Sequence, residues 1–243
     1  MVGRQYGLVD KNEKEFEMAI VNTANAFSRS LYQGIIVIDY TRQKFVFASG
    51  NFEFLCGLSA AEVCKMGYGF YYECIMSPDL EILLRARPKW KELVASLSPE
   101  QCMDYSLHFD FRFKKDNGAY MVHHTFTTLS LTAEGRPHLL LCTISLSSQI
   151  SCGHVIMLNR NSRKYMEYND GTDRWERGEL PLLTEHERCI LYLSTWGNTV
   201  PCIARKLCKS ENTVKTCKRK LFQKLGVNSI SAAISYAANY QLL

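Results

Sequence analysis

From Ser106 to Phe113 the chain alternates without a break. Leu107, Phe109, Phe111 and Phe113 are interleaved with Ser106, His108, Asp110 and Arg112. Side chains on a β-strand point to opposite faces in turn, so this period of two predicts a half-buried strand. AYMVHHTFTTLSL (119–131) follows through the turn DNG at 116–118, and HLLLCTISL (138–146) through TAEGRP. Three strands in succession, joined by short turns, predict an antiparallel meander.

Shorter elements lie in front of it. GIIVID and KFVFAS, separated by YTRQ, predict a hairpin. SAAEVCK opens on a capping box, with Ser59 and Glu62 able to bond each other's backbone amides. SPDLEILLRAR predicts a helix with Ser77 as N-cap and Pro78 at its first position. Residues 11–31 predict an amphipathic helix with Phe16, Ile20, Ala24, Phe27 and Leu31 on one face, packed against a core. Behind the meander, HVIMLNRN and RKYMEYND predict a further hairpin, and NDGTDRWERGELP a turn-rich linker. From residue 181 the pattern becomes all helix. Thr184 and Glu187 form a second capping box, Trp196, Gly197 and Asn198 end that helix, and Ser210 and Ser229 are natural N-caps for two later ones.

Charge divides the chain at the same place. Of 29 Lys/Arg and 24 Asp/Glu, residues 181–243 hold nine and three, a net of +6. That leaves twenty and twenty-one, a net of −1, for residues 1–180. A basic module on a near-neutral body points to a polyanion as partner. The ten cysteines are scattered singly, with no CxxC pair and no zinc spacing, which predicts reduced, mostly buried thiols. No run of apolar residues is long enough to span a membrane, and the first residues lack the apolar stretch of a signal peptide. A cytoplasmic protein with no membrane partner is therefore expected.

The basic excess concentrates in SENTVKTCKRKLFQKLG, residues 210–226. Val214, Cys217, Leu221, Phe222 and Leu225 form a core-facing stripe at helical spacing, while Lys215, Thr216, Arg219 and Gln223 fall away from it. A short helix through Ile203, Ala204 and Leu207 precedes it. Two short helices, the second with a basic outer face, match helix-turn-helix geometry, and DNA's major groove admits one α-helix. Arg219 and Lys215 have the reach and donors for base edges, and Thr216 can touch a thymine methyl. Lys218, Lys220 and Lys224 suit phosphates, as do the amides near Asn212 and Thr213 behind Ser210. Basic amphipathic helices also bind membranes and acidic proteins, which is the competing reading.

The stretch from LTEHERCILYLS to AAISYA resembles the LuxR-type helix-turn-helix family. The marks are LTxxE, the glycine turn, IAxxL, SxxTVK, and KLGV before an Ala-rich last helix. The resemblance implies a four-helix domain whose third helix, 210–225, reads double-stranded DNA with Lys215 and Arg219 foremost. It also implies a fourth helix, about 229–240, that pairs with a second copy in a homodimer. Cys202 stands where the family commonly has Glu, and Cys217 and Lys220 where it often has His and Asn, so base preference does not carry over. Region 4 of sigma factors shares the helix-turn-helix pattern, but the strand-rich upstream half offers no polymerase-binding helical region.

GIIVIDYTRQKFVFASGNFEFLCGLSAAEV and FRFKKDNGAYMVHHTFTTLSLTAEGRPHLLLCTISL resemble the opening and closing parts of a PAS domain. That implies a five-stranded antiparallel sheet with helices on one face. His108, His123, His124, His138 and His154 invite a haem reading, but a lone His on a strand is more often structural. No cofactor is identified, and the ligand of the PAS-like domain is left open. GxSxG, Walker, HExxH and dinucleotide motifs are absent, so no enzyme is expected.

The expected fold class is α+β. Residues 1–33 form an N-terminal helix, 34–148 a PAS-like sensory domain, 149–180 a connector with a possible hairpin, and 181–243 the DNA-binding domain. The expected function is transcription regulation by a dimer whose input domain modulates DNA binding, with RNA polymerase as a candidate further partner. The alternative is a sigma-factor-like protein or a PAS-mediated interaction module that touches DNA nonspecifically.

Overall fold

The computed structural model describes residues 13–50, 53–115, 118–147, 149 and 151–243. The start of the expected first helix, at 11 and 12, and Asp116 and Asn117 of the expected DNG turn lie outside them. The chain is α+β and forms two compact units, Met1–Ser145 with Cys152–Gly178, and Leu146–Ser151 with Glu179–Leu243.

The first unit is built on an antiparallel sheet in the order β2-β1-β5-β4-β3-β6-β7-β8. Its strands are β1 (Gly34–Asp39), β2 (Lys44–Ser49), β3 (Tyr105–Lys115), β4 (Gly118–Leu131), β5 (Pro137–Leu146), β6 (His154–Asn159), β7 (Lys164–Asn169) and β8 (Arg174–Glu179). β1 to β5 supply the hairpin and the meander that the alternation predicts. The helices α2 (Ala60–Met66), α3 (Gly69–Cys74), α4 (Ser77–Ser96) and α5 (Pro99–Asp104) follow β2 in the chain. Val63, Phe70, Tyr71, Leu83, Ala86 and Trp90 share one core with Phe109, Phe111 and Phe113 of β3 and Ile36 and Ile38 of β1. On the opposite sheet face, Ala24 and Ile20 of α1 (Glu13–Ser28) pack with Ile35 and Val37.

Four expectations change. The expected hairpin forms as β6 and β7, but β6 also pairs with β3, and the expected linker NDGTDRWERGELP supplies the edge strand β8 from its charged RWERGE. Edge strands tolerate charge on both sides, which is why the alternation there is silent. Strand β3 is buried on both faces as far as Asp110, because β4 and β6 flank it and its polar residues bond one another. Ser106 Oγ lies 2.7 Å from His108 Nε2, His108 Nδ1 lies 3.2 Å from His123 Nε2, and His123 Nδ1 lies 3.0 Å from Asp110 Oδ1. Burial pushes the His108 ring well below its ordinary range, with the nearby His123 acting the same way, so His108 stays neutral. Met76, not Ser77, occupies the N-cap position of α4, and the helix runs through Pro88 to Ser96. The α1 stripe is only partly covered, with Phe16, Phe27 and Leu31 exposed.

Candidate nucleic-acid interface

The second unit consists of α6 (Glu185–Thr195), α7 (Val200–Lys206), α8 (Glu211–Leu225) and α9 (Ile230–Asn239). Both ends of α8 follow from local chemistry. Ser210 Oγ accepts from the Thr213 amide at 3.1 Å, and Gly226 closes the helix in the left-handed region at φ 66°. Between α7 and α8 the chain turns sharply, with Cys208 at φ 51° and the Lys209 amide donating to Ala204 at 2.9 Å.

The inner stripe of α8 is held at two places. Val214 is buried with Ile190, Ile203 and Ala204, and Cys217 packs beside them. Leu221 and Leu225 are buried with Leu183, Leu191, Ala233 and Ala237. With one stripe fixed at both ends, the opposite face must point outward. Asn212, Lys215, Thr216, Arg219, Lys220 and Gln223 are exposed on it, while Lys218 is half-buried at its margin. At 1.5 Å per residue the helix is about 22 Å long, enough to lie along a groove. Lys215 pairs loosely with Glu211 at 3.7 Å, both more than half exposed, a contact worth little in water. No acid pairs with Lys218, Arg219 or Lys220 among the described residues.

Two expected site residues have another occupation. Lys224 Nζ lies 2.6 Å from Glu187 Oε2, whose side chain is only 7% exposed, and also donates to the Leu182 carbonyl at 3.3 Å. It ties α8 to the capping box of α6 instead of presenting a charge outward, because its position on the helix adjoins the core stripe. Burial raises the Glu187 carboxyl, but hydrogen bonds from Lys224 and Thr184 outweigh it, and the net shift is downward. The Thr213 amide is taken by Ser210, and its hydroxyl lies 2.9 Å from Ser210 Oγ. Asn212 keeps its place on the open first turn.

Other groups around the motif had no role in the sequence reading. Arg205 and Lys209 are exposed, at the end of α7 and in the turn before α8. Their closeness in sequence to Ser210 was the available signal. Gln223, set on the outer face by its spacing alone, is exposed there with an amide that both donates and accepts. Lys206 Nζ sits 5.6 Å from the ring centre of the exposed Trp196. Among the described residues, no group of three or more His, Cys, Asp or Glu can hold a metal ion, and no helix is long and apolar enough to cross a membrane.

Short helices around a small core, with a capped basic helix turned outward, define a helix-turn-helix unit. Residues 181–237 match the family model described as bacterial regulatory proteins, luxR family, and this part of the chain is a LuxR-type helix-turn-helix domain. Two curated relatives, the probable transcriptional regulatory protein NarL of two Mycobacterium tuberculosis strains, are each 38% identical over 63 residues. The match covers 26% of this chain and 29% of the length of those relatives. Among solved structures, a phage VqmA–DPO complex is 16% identical over 95% of this chain and 93% of its own, with a TM-score of 0.30. A Vibrio cholerae VqmA dimer is 16% identical over 91% and 88%, also with a TM-score of 0.30.

Proposed function

We propose that this protein is a DNA-binding transcriptional regulator of the cytoplasm, acting as a homodimer whose PAS-like first unit modulates DNA binding. The observation that carries the reading is the outer face of α8. Arg219, Lys215, Lys218 and Lys220 surround the hydrogen-bonding groups of Asn212, Thr216 and Gln223, on a helix whose other side is locked into a core. Helix dimensions fit the major groove, the lysines attract phosphates, and Arg219 can hold a guanine through two hydrogen bonds. The helix α9 and the first unit bring two copies together, setting the two α8 helices about 34 Å apart, one turn of DNA. RNA polymerase is the further partner such a regulator contacts.

Selection of bound DNA from a random pool by the purified full chain tests the reading. A two-fold-symmetric site with half-sites one helical turn apart is expected. Enrichment of no sequence, with binding that fades equally for all DNA as salt rises, would overturn it in favour of nonspecific contact.

A further inference from the structure

Ten free cysteines are present, and the expectation that they are mostly buried does not hold. Only Cys74, Cys102 and Cys142 are buried, and Cys208 is exposed. One pair stands apart from the rest in geometry. Cys56 sits in the tight turn after β2, where the Leu58 amide donates to the Leu55 carbonyl at 3.0 Å. At φ 55°, followed by Gly57 at φ 79°, the turn directs the Cys56 side chain toward the end of α3. There its sulfur lies 3.3 Å from the Lys114 carbonyl and 4.0 Å from the Cys74 carbonyl. Both cysteines line one open pocket of about 490 Å³ together with Glu53, Glu73, Lys114 and Lys115. Cys56 is the half-exposed member of the pair and Cys74 the buried one.

We infer that Cys56 and Cys74 form a two-cysteine oxidation site, with Cys56 attacking a hydroperoxide and Cys74 resolving the product as an intramolecular disulfide. The Cys56 thiolate attacks one peroxide oxygen, and the O–O bond breaks. Cys56 becomes a sulfenic acid, and the departing alkoxide or hydroxide takes a proton from water. The Cys74 sulfur then attacks the Cys56 sulfur, and hydroxide leaves with the Cys74 proton as water. Two thiols are oxidised and one peroxide is reduced.

The two sulfurs are divided in the sense this order needs. The neighbouring Cys74 side chain pulls the Cys56 thiol below its ordinary range, helped by the Lys114 ammonium against burial and Glu73. The neighbouring Cys56 and burial push the Cys74 thiol up, which keeps it protonated. Lys114 Nζ is anchored on the Glu73 carbonyl at 2.7 Å, which keeps its charge at the pocket. A disulfide here would tie the turn at 55–58 to the end of α3, the point where Ile75 bridges to Phe113 of β3.

The test uses the reduced full chain treated with stoichiometric hydrogen peroxide, followed by non-reducing peptide mapping. A Cys56–Cys74 linkage that dithiothreitol reverses is expected. Fragmentation must separate Cys56 from Cys64, which share a tryptic peptide. In Cys74→Ser, Cys56 should accumulate as a sulfenic acid that dimedone captures. In the untreated protein at pH 7, iodoacetamide should label Cys56 on the order of tenfold faster than exposed Cys208. The inference is overturned if Cys208 is alkylated or oxidised before Cys56, or if Cys56 pairs with a cysteine other than Cys74.

Discussion

Arg219 and Lys224 are five positions apart on one helix and carry the same charge, yet the structure gives them opposite work. Arg219 is exposed with no acid beside it among the described residues, whereas Lys224 closes on the buried carboxylate of Glu187. Arg219→Ala should therefore cost about 1–3 kcal/mol of specific DNA binding and relax preference at one base position, read by binding to single-substitution variants of the selected site. Lys224→Ala should instead lower folding stability by about 1–3 kcal/mol in denaturant titration, since it leaves Glu187 buried with fewer partners, and keep the same base preferences. The pair also sets a pH dependence. The folded pKa of Glu187 is depressed, so its stabilisation is present above the ordinary glutamate value and lost as pH falls through the folded one. Acid unfolding of the wild type should show this loss, and Lys224→Met should weaken it.

Among the elements, α8 is defined by its ends as much as by its stripe. Ser210→Ala removes the acceptor for the Thr213 amide, and Gly226→Ala forces a Cβ into the left-handed region, although no atom stands near enough to clash. Each should cost about 1 kcal/mol in thermal or denaturant unfolding and leave the exposed side chains of the outer face in place. The Ser210 end was legible in the sequence, as were the two capping boxes, because such caps are local chemistry between residues three apart. The edge strand β8 was not legible. In RWERGE only Trp175 and Gly178 are half-buried, and a Cβ on Gly178 would stand 2.3 Å from the Tyr165 ring. What makes that segment a strand is the backbone of β7 beside it, and nothing in its own alternation reports a neighbour.

For the whole molecule, charge is the property that reaches furthest. A net of +6 in residues 181–243 against −1 in the rest should make DNA affinity depend steeply on salt. Removing one phosphate contact, as Lys218→Ala or Lys220→Ala should, is expected to reduce the slope of log affinity against log salt by about 1 while weakening all sequences alike. Lys224→Ala is expected to leave that slope unchanged, since its ammonium is already neutralised by Glu187. A titration of affinity against salt on the selected site and on a scrambled one separates these outcomes.

Periodicity, caps and charge are carried by residues near one another in the chain, so the meander, the four C-terminal helices and the basic face of α8 can be read from local pattern. Which of those basic residues remain available depends on contacts between distant parts of the chain. Lys224 meets Glu187 from thirty-seven positions away, and no local pattern encodes that approach. The burial of Ser106, His108 and Asp110 is of the same kind. An alternating strand declares two faces, but whether its polar face meets water depends on the strands and layers that close over it. So too with Cys56 and Cys74, eighteen residues apart and unremarkable as a spacing, which become a pair only when the turn after β2 folds against the end of α3.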